Sequence, residues 1–186
     1  MQRAFVERAA LRAGQRVLEI GCGTGNVTLL AKQACPGAQV VGLDPDVRAL
    51  ARARDKAARA ELDVRFEEGF ADALPFADAA FDVVLSSFMW HHLPPDVQRA
   101  TLRELLRVLA PGGKLQLLDF VRGQPGRRQQ RRSGHARSAP ELHSALVDAG
   151  FEAVRAEAQP RVLWLRVCAF SAVRASVISA GAQELL

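Results

Sequence analysis

The stretch RVLEIGCGTGNVTLLAKQACPG, residues 16–37, decides the architecture. It opens on the short apolar run RVLEI, which reads as a buried strand. Gly21, Gly23 and Gly25 follow at alternate positions. Val27, Leu30, Ala31 and Ala34 then recur at helical spacing, and Pro36-Gly37 stops the pattern. The chain therefore leaves a strand, turns tightly and enters a helix, with bare backbone at the turn.

The same rhythm continues outward. QVVGLD (39–44), DVRFEE (63–68), FDVVLSSF (81–88) and KLQLLDF (114–120) read as further strands. Between them lie helical patterns. One is marked by Val47, Leu50, Ala51 and Arg54. Another opens at Pro94-Pro95, carries Leu102, Leu105, Leu106 and Leu109 on its face, and ends at Pro111-Gly112-Gly113. Ser138-Ala-Pro-Glu141 has the form of a capping box before a last helix that stops near Gly150. FEAVRAEA (151–158) and RVLWLRVCAF (161–170) are separated only by Gln159-Pro160, so they must run antiparallel. The expected fold is α/β: a Rossmann-like, doubly wound, mainly parallel sheet of seven strands closed by an antiparallel C-terminal hairpin.

The length, 186 residues, suits one domain, expected over residues 1–172 with a tail at 173–186. No run of about 18 apolar residues suggests a membrane span. The opening MQRAFVERAALRAG interrupts its apolar residues with charges, unlike a signal peptide. Cys22, Cys35 and Cys168 form no C-x-x-C pair and no zinc-like spacing. No metal and a reducing, cytoplasmic setting are expected. The net charge of +5 has a local origin: residues 122–137 hold six arginines and no acid. Without them the chain would be slightly acidic. We read this stretch as a flexible basic segment with three possible roles: a solvated loop, a site for an anionic acceptor, or a contact for RNA or an anionic membrane surface. It contains no aromatic residue for stacking on bases, and no DNA partner is expected.

In open α/β sheets, ligands bind beyond the carboxyl ends of the strands, where strand order reverses. Asp44 ends the second strand, 19 residues after Gly25, where an acid can accept bonds from ribose hydroxyls. That combination points to a cofactor containing a nucleoside. A dinucleotide would favour G-x-G-x-x-G, with pyrophosphate at the helix start. This chain has G-x-G-x-G preceded by Glu19. A carboxylate is misplaced beside pyrophosphate and well placed beside an ammonium group.

The motifs VLEIGCGTGN, VVGLDPD, ALPFADAAFDVVLSSFMWHHL and LLRVLAPGGKLQLLDF, in this order, resemble those of class I S-adenosylmethionine-dependent methyltransferases. They look most like the small-molecule branch that includes ubiquinone/menaquinone-type C-methyltransferases. The resemblance spans about residues 5–172. It implies S-adenosylmethionine as cofactor and a small-molecule acceptor. It also implies that the backbone of Gly21, Cys22 and Gly23, entering the helix through Gly25, wraps the methionine part. Glu19 would order that loop and the ammonium group. Asp44 would hold the ribose, Pro45 would pack near adenine, Phe70 and Ala71 would flank it, and Ser86 and Ser87 would line the pocket beside the sulfonium. The chain departs from the family where relatives often read G-D-A before LPF. Here Phe70 stands in place of the Asp that contacts the adenine amino group, with Asp72 two residues later.

His91 and His92 follow the fourth strand. One can act as general base, or the pair can fix the loop before Pro94-Pro95. Cys22 reads as a small apolar filler and Asp82 as a residue that bonds locally. Three functions remain open from the residues: methyl transfer to a small acceptor, anionic or aromatic; cofactor binding without transfer; and dinucleotide-dependent oxidation.

Overall fold

A computed structural model describes residues 1–122, 135–162 and 165–176. The elements are α1 (Gln2–Ala9), β1 (Arg16–Ile20), α2 (Asn26–Ala34), β2 (Gln39–Asp44), α3 (Val47–Arg59), β3 (Arg65–Glu68), β4 (Phe81–Ser87), a 3-10 turn (Trp90–His92), α4 (Pro95–Val108), β5 (Leu109–Val121), α5 (Ala139–Ala149), β6 (Phe151–Val162) and β7 (Leu165–Arg174). The strands form one seven-stranded sheet in the order β3-β2-β1-β4-β5-β7-β6. Strands β1 to β5 pair in parallel, while β7 runs antiparallel to both β5 and β6. The order reverses between β1 and β4, so the crevice for a ligand opens beyond Ile20 and Ser87.

Strand alternation sorts the core into two faces. Phe5, Val6 and Ala9 of α1 and Val27 and Ala31 of α2 pack on Val17, Val83, Leu85 and Leu118. On the other face, Leu102, Leu105 and Val108 of α4 and Leu142 and Leu146 of α5 cover Leu18, Ile20, Val84, Leu115 and Leu117. Each such aliphatic side chain, fully buried, contributes roughly 1.5–3 kcal/mol. Helix starts follow their local chemistry. Asp46 caps α3 by accepting from the Arg48 and Ala49 amides. Ser138 and Glu141 form the expected capping box of α5, and Gly150 closes that helix at φ 106°.

Three expectations need correction. Leu109 belongs to β5, not to the helix, because α4 ends at Val108. Pro111-Gly112-Gly113 lies inside a register shift of β5 against β4, between the pairs Phe81–Leu109 and Val83–Lys114. The hairpin does not turn at Gln159-Pro160, since β6 runs on to Val162, which pairs with Leu165. Proline is tolerated there because β6 is an edge strand that pairs with β7 on one side only. Asp82 bonds across the sheet rather than locally: it accepts from the Arg16 backbone N–H at 2.8 Å and from its Nη2 at 2.7 Å. The guanidinium holds the Asp82 carboxyl below the usual carboxylate range. The arginines at 127, 128, 131 and 132 lie outside the described residues.

Candidate active site

The turn after β1 is built for close approach, but its three glycines answer to different neighbours. Gly21 has φ 64°, and a Cβ there would lie 2.2 Å from Met89 Cγ. Its bareness makes room for Met89, which precedes the 3-10 turn. Gly25 is packed under Ala53 and Phe66. Gly23, at φ 53°, meets nothing within 4 Å. Of the three, only Gly23 leaves open space beside its backbone among the described residues.

Asp44 ties this turn to β2. Its Oδ2 accepts the Gly23 N–H at 2.7 Å and its Oδ1 accepts the Asp46 N–H at 2.9 Å. A carboxylate has about four acceptor positions, so each oxygen keeps capacity for a further hydroxyl donor. Asp46, not Asp44, caps α3, which leaves Asp44 to the turn. The Cys22 N–H donates to Leu43 O at 3.0 Å, and the Gly69 N–H donates to Asp44 O at 3.3 Å. Phe70 follows at once and is 64% exposed. Pro45 after β2 and Val47 at the start of α3 are exposed, while Ala71 packs against the core. Phe70, just after β3, and Val47, at the start of α3, are thus exposed apolar groups close in sequence to the ends of β3 and β2.

Glu19 lies beneath the turn and is 2% exposed. The Thr28 hydroxyl of α2 donates to it. Burial pushes its carboxyl up to about 8; the Thr28 bonds oppose that shift and the Asp44 charge adds to it. The Cys22 thiol is pushed far up by burial, with Glu19 and Asp44 adding, so it is an inert filler as expected. Ser86, opposite Ile20 in the sheet, and Ser87 beside it end β4. Among the described residues neither buried hydroxyl has a hydrogen-bond partner. Unpaired buried hydroxyls are costly unless something completes them.

Beyond β4 the chain turns through Phe88, whose φ is 56°, into Met89 and the 3-10 turn. Here the structure brings forward a residue that the sequence reading missed, Asp119 of β5. It is 1% exposed and accepts from the Trp90 N–H at 2.7 Å and the Phe120 N–H at 2.6 Å. It also lies 2.5 Å from His91 Nδ1. A carboxylate only accepts, so Nδ1 carries the proton and Nε2 is left as the basic atom. The one signal in the sequence was an acid inside the otherwise apolar end of KLQLLDF. The His92 ring lies 4.0 Å from that of His91, centroid to centroid. Burial and the neighbouring His91 lower the His92 pKa, and Asp119 opposes this. His92 has no carboxylate partner comparable to Asp119.

Of the six arginines, the two described ones are engaged. Arg122 bonds both oxygens of Glu141, at 2.9 and 3.0 Å. Arg137 Nε donates to Gln98 at 2.6 Å. Among the described residues, no group of three His, Cys, Asp or Glu side chains could hold a metal ion. No helix among them is long and apolar enough to cross a membrane.

Comparison with known proteins agrees with this arrangement. A family model for a methyltransferase domain matches residues 17–113, which carry the glycine turn, Asp44, the β4 serines and both histidines. A second model, for the N-terminal part of anamorsin, matches residues 67–164. Demethylmenaquinone methyltransferase of Thermus thermophilus is 46% identical over 119 residues, 64% of this chain and 53% of that protein. Its counterpart in Deinococcus radiodurans is 40% identical over 119 residues, 64% of this chain and 48% of that protein. The chain thus spans about half the length of these curated relatives. Among solved structures, the cyclase SpnF superposes with a TM-score of 0.84 at 22% identity, over 94% of this chain and 80% of that one. Phosphoethanolamine N-methyltransferase 2 of Haemonchus contortus, in complex with S-adenosyl-L-methionine, superposes with a TM-score of 0.83 at 18% identity, over 94% of this chain and 52% of that one. These two likenesses concern the fold. The family match covers just over half of the chain, and with it the turn, the switch point and the His91 loop: the chain belongs to the methyltransferase-domain family.

Proposed function

We propose that this chain binds S-adenosylmethionine and transfers its methyl group to a small acceptor bearing an acidic hydroxyl, such as a phenol or hydroquinone. The residues present fit the cofactor. Gly23 offers open backbone, Asp44 offers two carboxylate oxygens with spare capacity, and Ser86 and Ser87 offer hydroxyls that lack partners. Phe70 and Val47 provide apolar surface for adenine in place of an acidic contact, with Pro45 and Ala71 alongside. Glu19 sits beneath the turn, held by Thr28, and an ammonium group bound nearby would favour its ionised form. Bound there, the cofactor supplies an activated methyl group for in-line displacement.

What the chain itself adds is a base, and the observation that carries this reading is His91 on Asp119. The buried carboxylate fixes the His91 tautomer and stabilises the imidazolium that forms when Nε2 takes a proton. Met89, which fills the space over Gly21, couples the His91 loop to the glycine turn. Removing the proton from a phenolic hydroxyl raises electron density at oxygen and at the adjacent ring carbons. One base therefore serves O- or C-methylation, and acceptor orientation selects the atom. The names of two relatives, demethylmenaquinone methyltransferase and 27-O-demethylrifamycin SV methyltransferase, support acceptors of this kind. Fold alone does not fix the reaction, since a cyclase shares it. The three free cysteines suit a reducing compartment, and we place the reaction in the cytoplasm.

The test is turnover. The chain is incubated with S-adenosylmethionine and a panel of hydroquinones, phenols and aliphatic amines, and S-adenosylhomocysteine is quantified. Acceptor-dependent product with the hydroxylated aromatics is the expected result. Cofactor binding without product from any hydroxylated acceptor would reduce the protein to a binding module.

A further inference from the structure

Gln98 of α4 is 1% exposed and is the hub of a second set of bonds on the acceptor side. Its Nε2 donates to Leu93 O at 2.9 Å, to His135 O at 3.2 Å and, more weakly, to Trp90 O at 3.4 Å. Its Oε1 accepts from Arg137 Nε at 2.6 Å. One buried amide thus joins both ends of the 3-10 turn to the segment that leads into α5. The His135 N–H closes the ring by donating to His91 O at 2.9 Å. A three-residue turn has almost no stability of its own, and this one has no side-chain cap. Asp119 holds the turn from β5; Gln98 and the His135 backbone hold it from the opposite side.

We propose that Gln98, supported by Arg137, is a positioning residue for the His91 base. It sets the orientation of the Trp90–His92 turn so that His91 Nδ1 stays on Asp119 while Nε2 faces the acceptor space. This rests on the reading of His91 as the base. An apolar side chain at position 98 would leave the Leu93 and His135 carbonyls and the Arg137 guanidinium without their partner. The turn would then keep only its Asp119 bonds and the backbone bond from His135 to His91 O. Gln98 touches none of Glu19, the glycine turn or Asp44, so cofactor affinity is independent of it.

The experiment follows the His91 Nδ1 proton by 15N-edited NMR, with S-adenosylhomocysteine affinity and turnover measured in parallel. The wild-type chain shows a downfield Nδ1–H resonance held by Asp119. Gln98→Leu loses or broadens that resonance, keeps its S-adenosylhomocysteine affinity within about twofold, and loses kcat about ten- to a hundredfold, as displacements near 1 Å do. Gln98→Glu keeps the length of the side chain and the Arg137 contact but cannot donate when ionised, so it fails in the same way. If Gln98→Leu does not fold, Arg137→Ala, at a half-buried position, gives the same changes in smaller degree. A sharp, unchanged Nδ1–H resonance in folded Gln98→Leu and Gln98→Glu, or in Arg137→Ala, overturns the proposal alone. Its absence already in the wild type overturns the reading of the dyad instead.

Discussion

The two halves of the sheet build the regions beyond their strand ends by different means. In the half made of β1, β2 and β3, that region is mostly backbone: an open Gly23, an amide bonded to Asp44, and loops that leave directly from the strand ends. In the half made of β4 and β5, it is mostly side chains drawn from distant positions: His91, Asp119, Gln98 and Arg137. Backbone recognition tolerates little change of conformation and much change of side chain. Side-chain recognition is the reverse, which suits a fixed cofactor and a variable acceptor.

The largest expected effect lies on the acceptor side. His91→Gln should lower kcat about 10²–10⁴-fold, the usual contribution of a positioned base, while S-adenosylhomocysteine affinity stays the same. Stopped-time product assays and calorimetry on one preparation check both halves of that statement. A variant with normal kcat would make His91 a structural residue and erase the contrast.

The next effect separates two glycines of the same turn. Gly21→Ala combines a left-handed φ of 64° with a clash against Met89, and should destabilise the chain by about 2–4 kcal/mol. Gly23→Ala meets no neighbour, so only the conformational cost of about 1–2 kcal/mol applies, yet its methyl group enters the open space. Urea unfolding should rank Gly21→Ala as the less stable, and cofactor titration should find Gly23→Ala impaired even where folded. Equal stability losses would mean that the turn does not divide its roles in this way.

If Asp44 accepts from the ribose as proposed, Asp44→Ala should weaken S-adenosylhomocysteine binding about ten- to a hundredfold, equivalent to about 1.5–3 kcal/mol. Wild-type affinity in a folded variant would remove Asp44 from the site.

The last effect is a slope. The folded Glu19 carboxyl titrates near 8 and its ordinary value is 4.5. Between these, the folded chain keeps a proton that the unfolded chain has lost, so stability falls as pH rises through that window. The contribution is at most about 1.4 kcal/mol per pH unit. Glu19→Gln should flatten this part of the profile relative to wild type in urea titrations from pH 5 to 8. Parallel profiles would place Glu19 in contact with solvent.

The same contrast explains what could be read in the chain. The glycine turn, Asp44 and the strand–helix alternation are local patterns, and they fall where the spacing put them. The capping box at Ser138 was legible because four consecutive residues define it. The dyad was half legible: His91 stood out, but its partner lies 28 positions away on another strand. Gln98 gave no signal, because a buried glutamine differs from an exposed one only in what surrounds it. The hairpin turn was misplaced because Pro160 looks like a breaker until the strand is known to be at the edge.

The central claim is that the open backbone at Gly23 and the carboxylate of Asp44 form a site for S-adenosylmethionine rather than for a dinucleotide. Isothermal calorimetry of the wild-type chain with S-adenosylmethionine, S-adenosylhomocysteine and NAD tests it most directly. The account predicts one-to-one binding of both adenosyl compounds and no heat from NAD. Binding of NAD, with none of S-adenosylhomocysteine, would contradict it.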